Sequence, residues 1–407
     1  MSKNGMNIKE LKKQFPIFEQ KVNGYPLIYL DSVSTAQMPQ IVIDAIVDYY
    51  SRYKSNVGRG VYTSAERATI EFEQARAIIA QFIGAKKQEI VITSGATDGI
   101  NLVARAWAQQ HIGKGDEIIV SEIEHHSNFV VWQQLAIQKG AILKIVPVNN
   151  YGVIDIETFK TYLSDKTKLV AMIYTSNMLG TTNDVTQITQ ASHAVGAKVL
   201  IDATQSVVHL QVDVKKINCD FLVFSGHKLF GPTGVGVLYL KEALFNQCDI
   251  TKFGGGMVYS VTDNQTSFKK VPHCFEAGTQ PVAQVIGLAA AIQFIQKNVT
   301  YEQLQQYETS LIRMLAQELQ TIDGITIISH VPQKEQFSNL ITFVSDKYHA
   351  HDIAAHLDQY GIAVRAGHHC VQPYHQKVGI NASVRVSVAL YTTEQDIYEL
   401  VKILKEL

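Results

Sequence analysis

Short apolar runs rich in β-branched residues alternate with helix-length segments through the first two-thirds of the chain. This alternation restricts the fold more than any other feature. Glu89-Ile90-Val91-Ile92, Glu117-Ile118-Ile119-Val120, Leu143-Lys144-Ile145-Val146 and Lys168-Leu169-Val170-Ala171-Met172-Ile173 read as buried strands, and Lys198-Val199-Leu200-Ile201 and Asp220-Phe221-Leu222-Val223-Phe224 continue the series. Strands apolar on both sides and separated by helices belong to a mostly parallel sheet covered on both faces, because each parallel connection needs a crossover. Gly234-Val235-Gly236-Val237-Leu238-Tyr239-Leu240 follows too closely for a crossover, so it is expected to fold back as an antiparallel seventh strand.

After about residue 285 the texture changes. Residues 287–320 look helical, and shorter strands follow near Ile325-Ile328, Leu340-Val344 and Val384-Val388. A last helix begins after Tyr391, with a capping box expected from Thr392 to Gln395. A chain of 407 residues suits two units. We therefore expect an α/β chain with a large domain over 16–290 and a small α+β domain over 291–407, joined by the N-terminal segment 1–15.

Net charge is -1, from 36 basic and 37 acidic residues. That balance has no basic stripe of the kind nucleic acid requires, so no nucleic-acid partner is expected. No apolar run reaches membrane-spanning length, and Met1-Ser2-Lys3-Asn4-Gly5 lacks the apolar run of a leader, so the expected location is the cytoplasm, with no membrane partner. The four cysteines, Cys219, Cys248, Cys274 and Cys370, have no CxxC spacing and read as free thiols.

Open α/β sheets bind ligands outside the carboxyl ends of their strands, and polar residues gather at those ends here. Ser94-Gly95-Ala96-Thr97 leads into a helix whose free N–H groups suit an anion, or simply forms an ordinary helix cap. Lys228, in Ser225-Gly226-His227-Lys228, leaves an apolar strand where an unpaired ammonium is costly; it is either a surface lysine or a deprotonated, Schiff-base lysine. Asp202 favours the second reading. It ends an apolar strand, and a pyridinium nitrogen would give its carboxylate a partner worth about 4 kcal/mol at ~4 Å and an effective dielectric near 20. Gln205 can reach a phenolic oxygen of such a ring. His125, in Glu124-His125-His126, either stacks on the ring and passes protons or is a hydrogen-bonded core histidine.

Cys370 lies in the loop Arg365-Ala366-Gly367-His368-His369-Cys370, beside two histidines that ease thiolate formation. A structural cysteine and a zinc ligand are the alternatives, the latter disfavoured because adjacent residues rarely converge on one tetrahedral ion; no metal is expected. Arg385 suits a bidentate clamp on a carboxylate, or is a surface arginine on an edge strand.

Together these stretches, with Gly231-Pro232-Thr233-Gly234 and Phe275-Glu276-Ala277-Gly278-Thr279, resemble the cysteine desulfurases, within the aminotransferase class V group of fold-type I pyridoxal-phosphate enzymes. The resemblance runs from Tyr29-Leu30-Asp31-Ser32 to Arg385-Val386-Ser387. The short Gly-His-His-Cys loop looks like the second group, the Suf-type desulfurases and the similar cysteine sulfinate desulfinases.

The resemblance implies a pyridoxal 5'-phosphate cofactor on Lys228, stacked on His125, with Asp202 at the pyridinium and Gln205 at the phenolic oxygen. It places Ala96, Thr97, Ser225 and His227 at the phosphate, with Thr279 arriving from the partner in a homodimer. Asn177 and Arg385 would bind the carboxylate of L-cysteine, and Cys370 would accept its sulfur before a sulfur-acceptor protein collects it. Selenocysteine lyase and cysteine sulfinate desulfinase activities are the nearest rivals, an ordinary aminotransferase or a non-catalytic scaffold the more distant ones. The chain departs from the family at Gly58, where relatives carry histidine, at Asp98 in place of glutamate, and at Cys274 in place of arginine.

Overall fold

The computed structural model describes residues 7–333 and 336–407. The segment Met1–Gly5, from which the lack of a leader is read, lies outside the described residues.

Seven strands form the main sheet: β1 (Ile90–Thr93), β2 (Glu117–Ser121), β3 (Ile142–Val146), β4 (Thr167–Ile173), β5 (Lys198–Asp202), β6 (Phe221–Ser225) and β7 (Gly236–Leu240). Their spatial order is β1-β7-β6-β5-β4-β2-β3. The strands from β3 to β6 pair in parallel, and β7 runs antiparallel to both β6 and β1, as its short connection requires. Side chains alternate between faces with period two. Ile119, Val170, Val199, Ile201, Leu222 and Phe224 enter one apolar layer, while Ile118, Val120, Leu169, Leu200, Phe221 and Val223 enter the other.

β3 departs from expectation. It closes one edge of the sheet, and Ile142 and Ile145 are exposed, so this apolar run is only half-buried.

A second sheet holds β8 (Ile325–Ile327), β9 (Leu340–Ser345), β10 (Arg365–Gly367) and β11 (Ser383–Ser387), in the order β8-β9-β11-β10, all antiparallel. The Arg-Ala-Gly strand carries no apolar run, which is why the sequence pattern misses it. Ile28–Tyr29 pairs in parallel with Ile362–Ala363, and Asp31 bridges to Ser387. The chain around residue 30 therefore packs with the C-terminal strands, far away in sequence.

The helical stretch expected over 287–320 is two helices, α1 (Val282–Asn298) and α2 (Tyr301–Leu319). They are separated because Thr300 caps the second: its Oγ1 accepts from Gln303 N at 3.2 Å and its N–H donates back to Gln303 Oε1 at 3.1 Å. The last helix, α3 (Glu394–Lys405), has its capping box at Thr393 and Asp396, one residue after the expected pair. Thr392 instead accepts from Ala389 N at 3.0 Å, closing the preceding turn. Among the described residues no single helix is long and apolar enough to cross a membrane.

Candidate active site

The parallel strands all end at one edge of the main sheet, and the expected site residues meet there. All of them except Thr279 line one cavity of about 570 Å³.

The helix Ala96–Val103 opens directly off β1. β7 passes so close behind its entry turn that a Cβ on Gly236 would lie 2.4 Å from Gly95 Cα, so the approach requires glycine. Ser225 Oγ accepts from Ala96 N–H at 2.8 Å, and Thr97 Oγ1 pairs with Ser127 Oγ at 2.7 Å. Asp98 closes its own turn, accepting from Ser94 N–H at 3.0 Å, so the family departure there preserves a cap.

Lys228 Nζ donates to the carbonyls of Val33 (2.6 Å) and Ser34 (2.5 Å). Burial, helped by the Arg385 charge, pushes its pKa down to about 7. The same burial lowers His227 to about 4, with Lys228 adding to the effect, and His227 Nδ1 meets Thr35 Oγ1 at 3.2 Å. Gln205 Nε2 donates to Val33 O at 3.0 Å. His125 is held down at about 4, chiefly by burial. Its Nδ1 accepts from Ser127 N–H at 3.1 Å, which leaves the ring proton on Nε2.

Asp202 is buried at the cavity floor, its carboxylate accepting from Thr204 N–H at 3.0 Å. Among the described residues it forms no salt bridge; burial raises its pKa, and the Lys228 charge offsets part of that rise. A buried carboxylate without a cationic partner is expensive. A ring-nitrogen N–H⁺ supplies that partner, so the residues present fit pyridoxal phosphate: lysine, aspartate, a neutral histidine and a helix N-terminus around one cavity.

The Cys370 loop closes the other side. Of the four thiols Cys370 is the exposed one. Burial raises Cys248 to about 12 and Cys274 to about 11, and pushes Cys219 up as well. Cys274, the departure from arginine, packs in an apolar layer with Phe275. His369 and Cys370 both have left-handed backbones, φ 51° and 58°, a conformation costly for residues with a Cβ. The loop is tied in place by Asn177 Nδ2 on His369 O (2.7 Å), His126 N–H on Cys370 O (2.8 Å) and Gln372 N–H on His126 Nε2 (3.1 Å). The His369 ring is buried against Ser383 Oγ (3.0 Å), and burial lowers its pKa to about 2, so it brings no positive charge to the thiol.

Arg385 is buried. Its Nη1 donates to Asn177 O (2.8 Å) and its Nη2 to Ser34 Oγ (2.7 Å), while Nε and the neighbouring Asn177 Oδ1 are buried without partners among the described residues.

Thr279 lies elsewhere, in an exposed cleft of about 800 Å³ shared with Gly58, Arg59 and Lys269. Gly58 sits there at φ +102° with open space around it.

Sequence reasoning missed the segment Asp31–Thr35, which touches Lys228, His227, Gln205 and Arg385 through the bonds above. Its signal was a motif without a strand: polar residues after Tyr29-Leu30. It also gave no role to Glu124, whose buried carboxyl accepts from Ser121 Oγ (2.6 Å), Asn128 Nδ2 (2.7 Å) and Ile173 N–H (2.9 Å). These bonds tie the His125 turn to the end of β4.

Residues 28–400 match the aminotransferase class-V family. The chain is 44% identical to a probable cysteine desulfurase of Halalkalibacterium halodurans, covering 98% of this chain and 97% of that protein. A cysteine desulfurase from Thermococcus onnurineus superimposes with a TM-score of 0.93 at 33% identity, over 100% of this chain and 99% of that one. The S-sulfonic acid form of an Escherichia coli cysteine desulfurase follows at 0.91 and 34%, over 99% and 98%.

Proposed function

The chain belongs to the aminotransferase class-V family, and from that premise we propose that it is a pyridoxal-phosphate-dependent cysteine desulfurase, converting L-cysteine to L-alanine and taking the sulfur onto Cys370. One observation carries the reading: a half-buried lysine with a lowered pKa and a buried aspartate with no salt-bridge partner among the described residues share a cavity with the exposed thiol.

Lys228 would hold the cofactor covalently, with Asp202 at its ring nitrogen, His125 on its face, Gln205 at its phenolic oxygen, and Ala96, Thr97, Ser225 and His227 at its phosphate. When bound, pyridoxal phosphate supplies the electron sink that no side chain here provides. The protein's own residues do the rest. Arg385 orients the substrate carboxylate through its unpartnered Nε, with Asn177 beside it. Lys228, with a pKa near neutrality, carries the α-proton away and returns a proton. His125 Nε2–H lines the same cavity as a second proton carrier. The Cys370 thiolate attacks the substrate sulfur; the C–S bond breaks with its electron pair left on carbon. Protonation of that carbon gives alanine, and the sulfur remains as a persulfide on Cys370.

An exposed persulfide suits collection by an acceptor protein. Exposed apolar residues beside the Thr279 cleft, among them Val61, Tyr62 and Tyr259, support a homodimer in which Thr279 serves the partner's site. We further propose a large domain over 16–290 and a small one over 291–407, and a cytoplasmic location, which four free thiols suit.

The test is alanine and sulfide production from L-cysteine with reductant, wild type beside Cys370→Ala, with the absorbance spectrum recorded. A cofactor band with activity lost in the variant is expected. Activity indifferent to Cys370 would favour selenocysteine lyase or sulfinate desulfinase chemistry, and a protein that binds no cofactor would overturn the reading.

A further inference from the structure

Hydrogen bonds close a circuit around the backbone of Cys370. The short helix Gln372–Lys377 follows the loop directly and carries the buried His375. His375 Nδ1 lies 3.1 Å from Val371 O, and its Nε2 lies 2.9 Å from Ser383 Oγ, at the start of β11. Ser383 Oγ in turn lies 3.0 Å from His369 Nε2. Val371 and His369 flank Cys370, so the circuit runs from one neighbour of the thiol residue to the other. His375 and Ser383 stand outside the stretches that carry the family resemblance, and neither lines the cavity.

The protons in this circuit are fixed by its first acceptor. A carbonyl oxygen cannot donate, so the His375 proton sits on Nδ1, and Nε2 of the neutral imidazole accepts. The Ser383 hydroxyl proton therefore points to His375; Gly367 O, at 3.4 Å, is the longer alternative. Ser383 Oγ then accepts from His369, whose proton must lie on Nε2. His369 Nδ1 is left bare, buried without a partner among the described residues. Both imidazoles stay neutral. Burial lowers the pKa of His369, helped by Arg385 and His375, and that of His375, helped by His368, whose imidazole stands edge-on at 5.5 Å.

His369 and Cys370 both hold left-handed backbones, which persist only where the surroundings over-determine them. Asn177 and His126 bind the carbonyls of these two residues. The strand entering the loop is held separately: Arg365 Nε and Nη2 donate to Asp31 Oδ2 at 3.0 and 2.6 Å, and Asp31 Oδ1 accepts from Arg385 Nη2 at 3.3 Å. Those contacts do not reach the His369 imidazole or the Val371 carbonyl, and the circuit clamps both.

We propose that His375 and Ser383 are positioning residues for the sulfur-transfer step: their hydrogen bonds hold Cys370 where its thiolate meets the substrate sulfur. The inference rests on the desulfurase reading above and deepens it. Lys228 and Arg385 work without this circuit, so it bears on cleavage of the C–S bond and not on removal of the α-proton.

The test uses the holoenzyme of wild type, Ser383→Ala, Ser383→Thr, His375→Leu, and Ser383→Ala combined with His375→Leu. Two rates are measured. Alanine release from L-cysteine needs the thiol, whereas exchange of the α-hydrogen of L-alanine in heavy water needs the cofactor and Lys228 but no thiol. A reacting group displaced by about 1 Å loses up to ~100-fold in rate. Alanine release should therefore fall roughly ten- to hundred-fold in Ser383→Ala and in His375→Leu, with exchange at the wild-type rate. The combined variant should be no slower than the slower single one, because both changes open one circuit. Ser383→Thr keeps the hydroxyl and should retain activity. In nitrogen-15 spectra of the imidazoles, His375 should carry its proton on Nδ1 and His369 on Nε2. Release unchanged in both single variants, release and exchange falling together, losses that multiply in the combined variant, or the opposite tautomers each overturn the proposal. If Ser383→Ala does not fold, His375→Leu decides by the same two rates. A wild-type holoenzyme that exchanges the alanine hydrogen yet releases no alanine from L-cysteine would overturn the desulfurase reading, and this inference with it.

Discussion

Lys228 shows how burial prepares a side chain for chemistry. Its folded pKa of about 7 lies below the ordinary 10.5. Between those values the unfolded chain binds a proton that the folded chain does not, so Lys228 makes stability rise with pH, by up to ~1.4 kcal/mol per pH unit. Urea unfolding of the cofactor-free protein at about pH 7 and about pH 9 should show that rise, and Lys228→Met should flatten it. Glu124 presents the opposite economy. Burial drives its pKa up to about 8 against three donors, and Glu124→Ala removes the acceptor that those donors share. A loss of ~1–3 kcal/mol in unfolding free energy is expected, since a buried donor then lacks its acceptor. Lys228, Asp202 and Cys370 were legible because each is chemically out of place in its local sequence. Asp31 and Ser34 were not, because nothing near them in sequence reveals the arginines more than 300 residues away.

The Cys370 loop gains its shape from neighbours rather than from its own preferences. Two successive left-handed residues persist because Asn177 and the first turn of the helix His126–Lys139 grip their own carbonyls. Asn177→Ala should release the loop and misplace the thiol. Alanine formation from L-cysteine is then expected to fall roughly ten- to hundred-fold with the cofactor band retained; an unchanged rate would show that the loop holds itself. The strands of the main sheet were readable from their apolar period, since burial on both faces demands it. The edge strand β3 looked the same in sequence, because period alone does not report position within a sheet. The capping boxes show a similar limit. Thr392 and Thr393 both have a partner three residues on, and only the turn at Ala389 decides between them.

Across the whole molecule the helix after β5 and α2 are joined by a buried histidine–carboxyl contact. His209 Nδ1, on the short helix after Gln205, lies 2.7 Å from Glu308 Oε2 on α2, and both side chains are buried. Asn339 Nδ2 meets His209 Nε2 at 2.9 Å, and Gln305 Nε2 donates to His209 O at 2.8 Å. Glu308→Ala leaves the buried histidine without its polar neighbour, and unfolding in urea should register a loss of ~1–3 kcal/mol. Replacing both residues by apolar ones of similar volume should cost far less, because desolvation of the pair is then avoided.

Residue order alone dictated the layered α/β architecture, the antiparallel return of β7 and the cluster of polar groups at the strand ends, because these follow from local period and connection length. Tertiary structure decided the rest. It chose which strand lies at the edge, drew residues 28–35 between two distant parts of the chain, seated the His369 ring against Ser383 and set one aspartate between two arginines. The physical reason is common to all four. Period and propensity are properties of neighbours in sequence, whereas burial, charge pairing and hydrogen-bond partners depend on which segments meet in space.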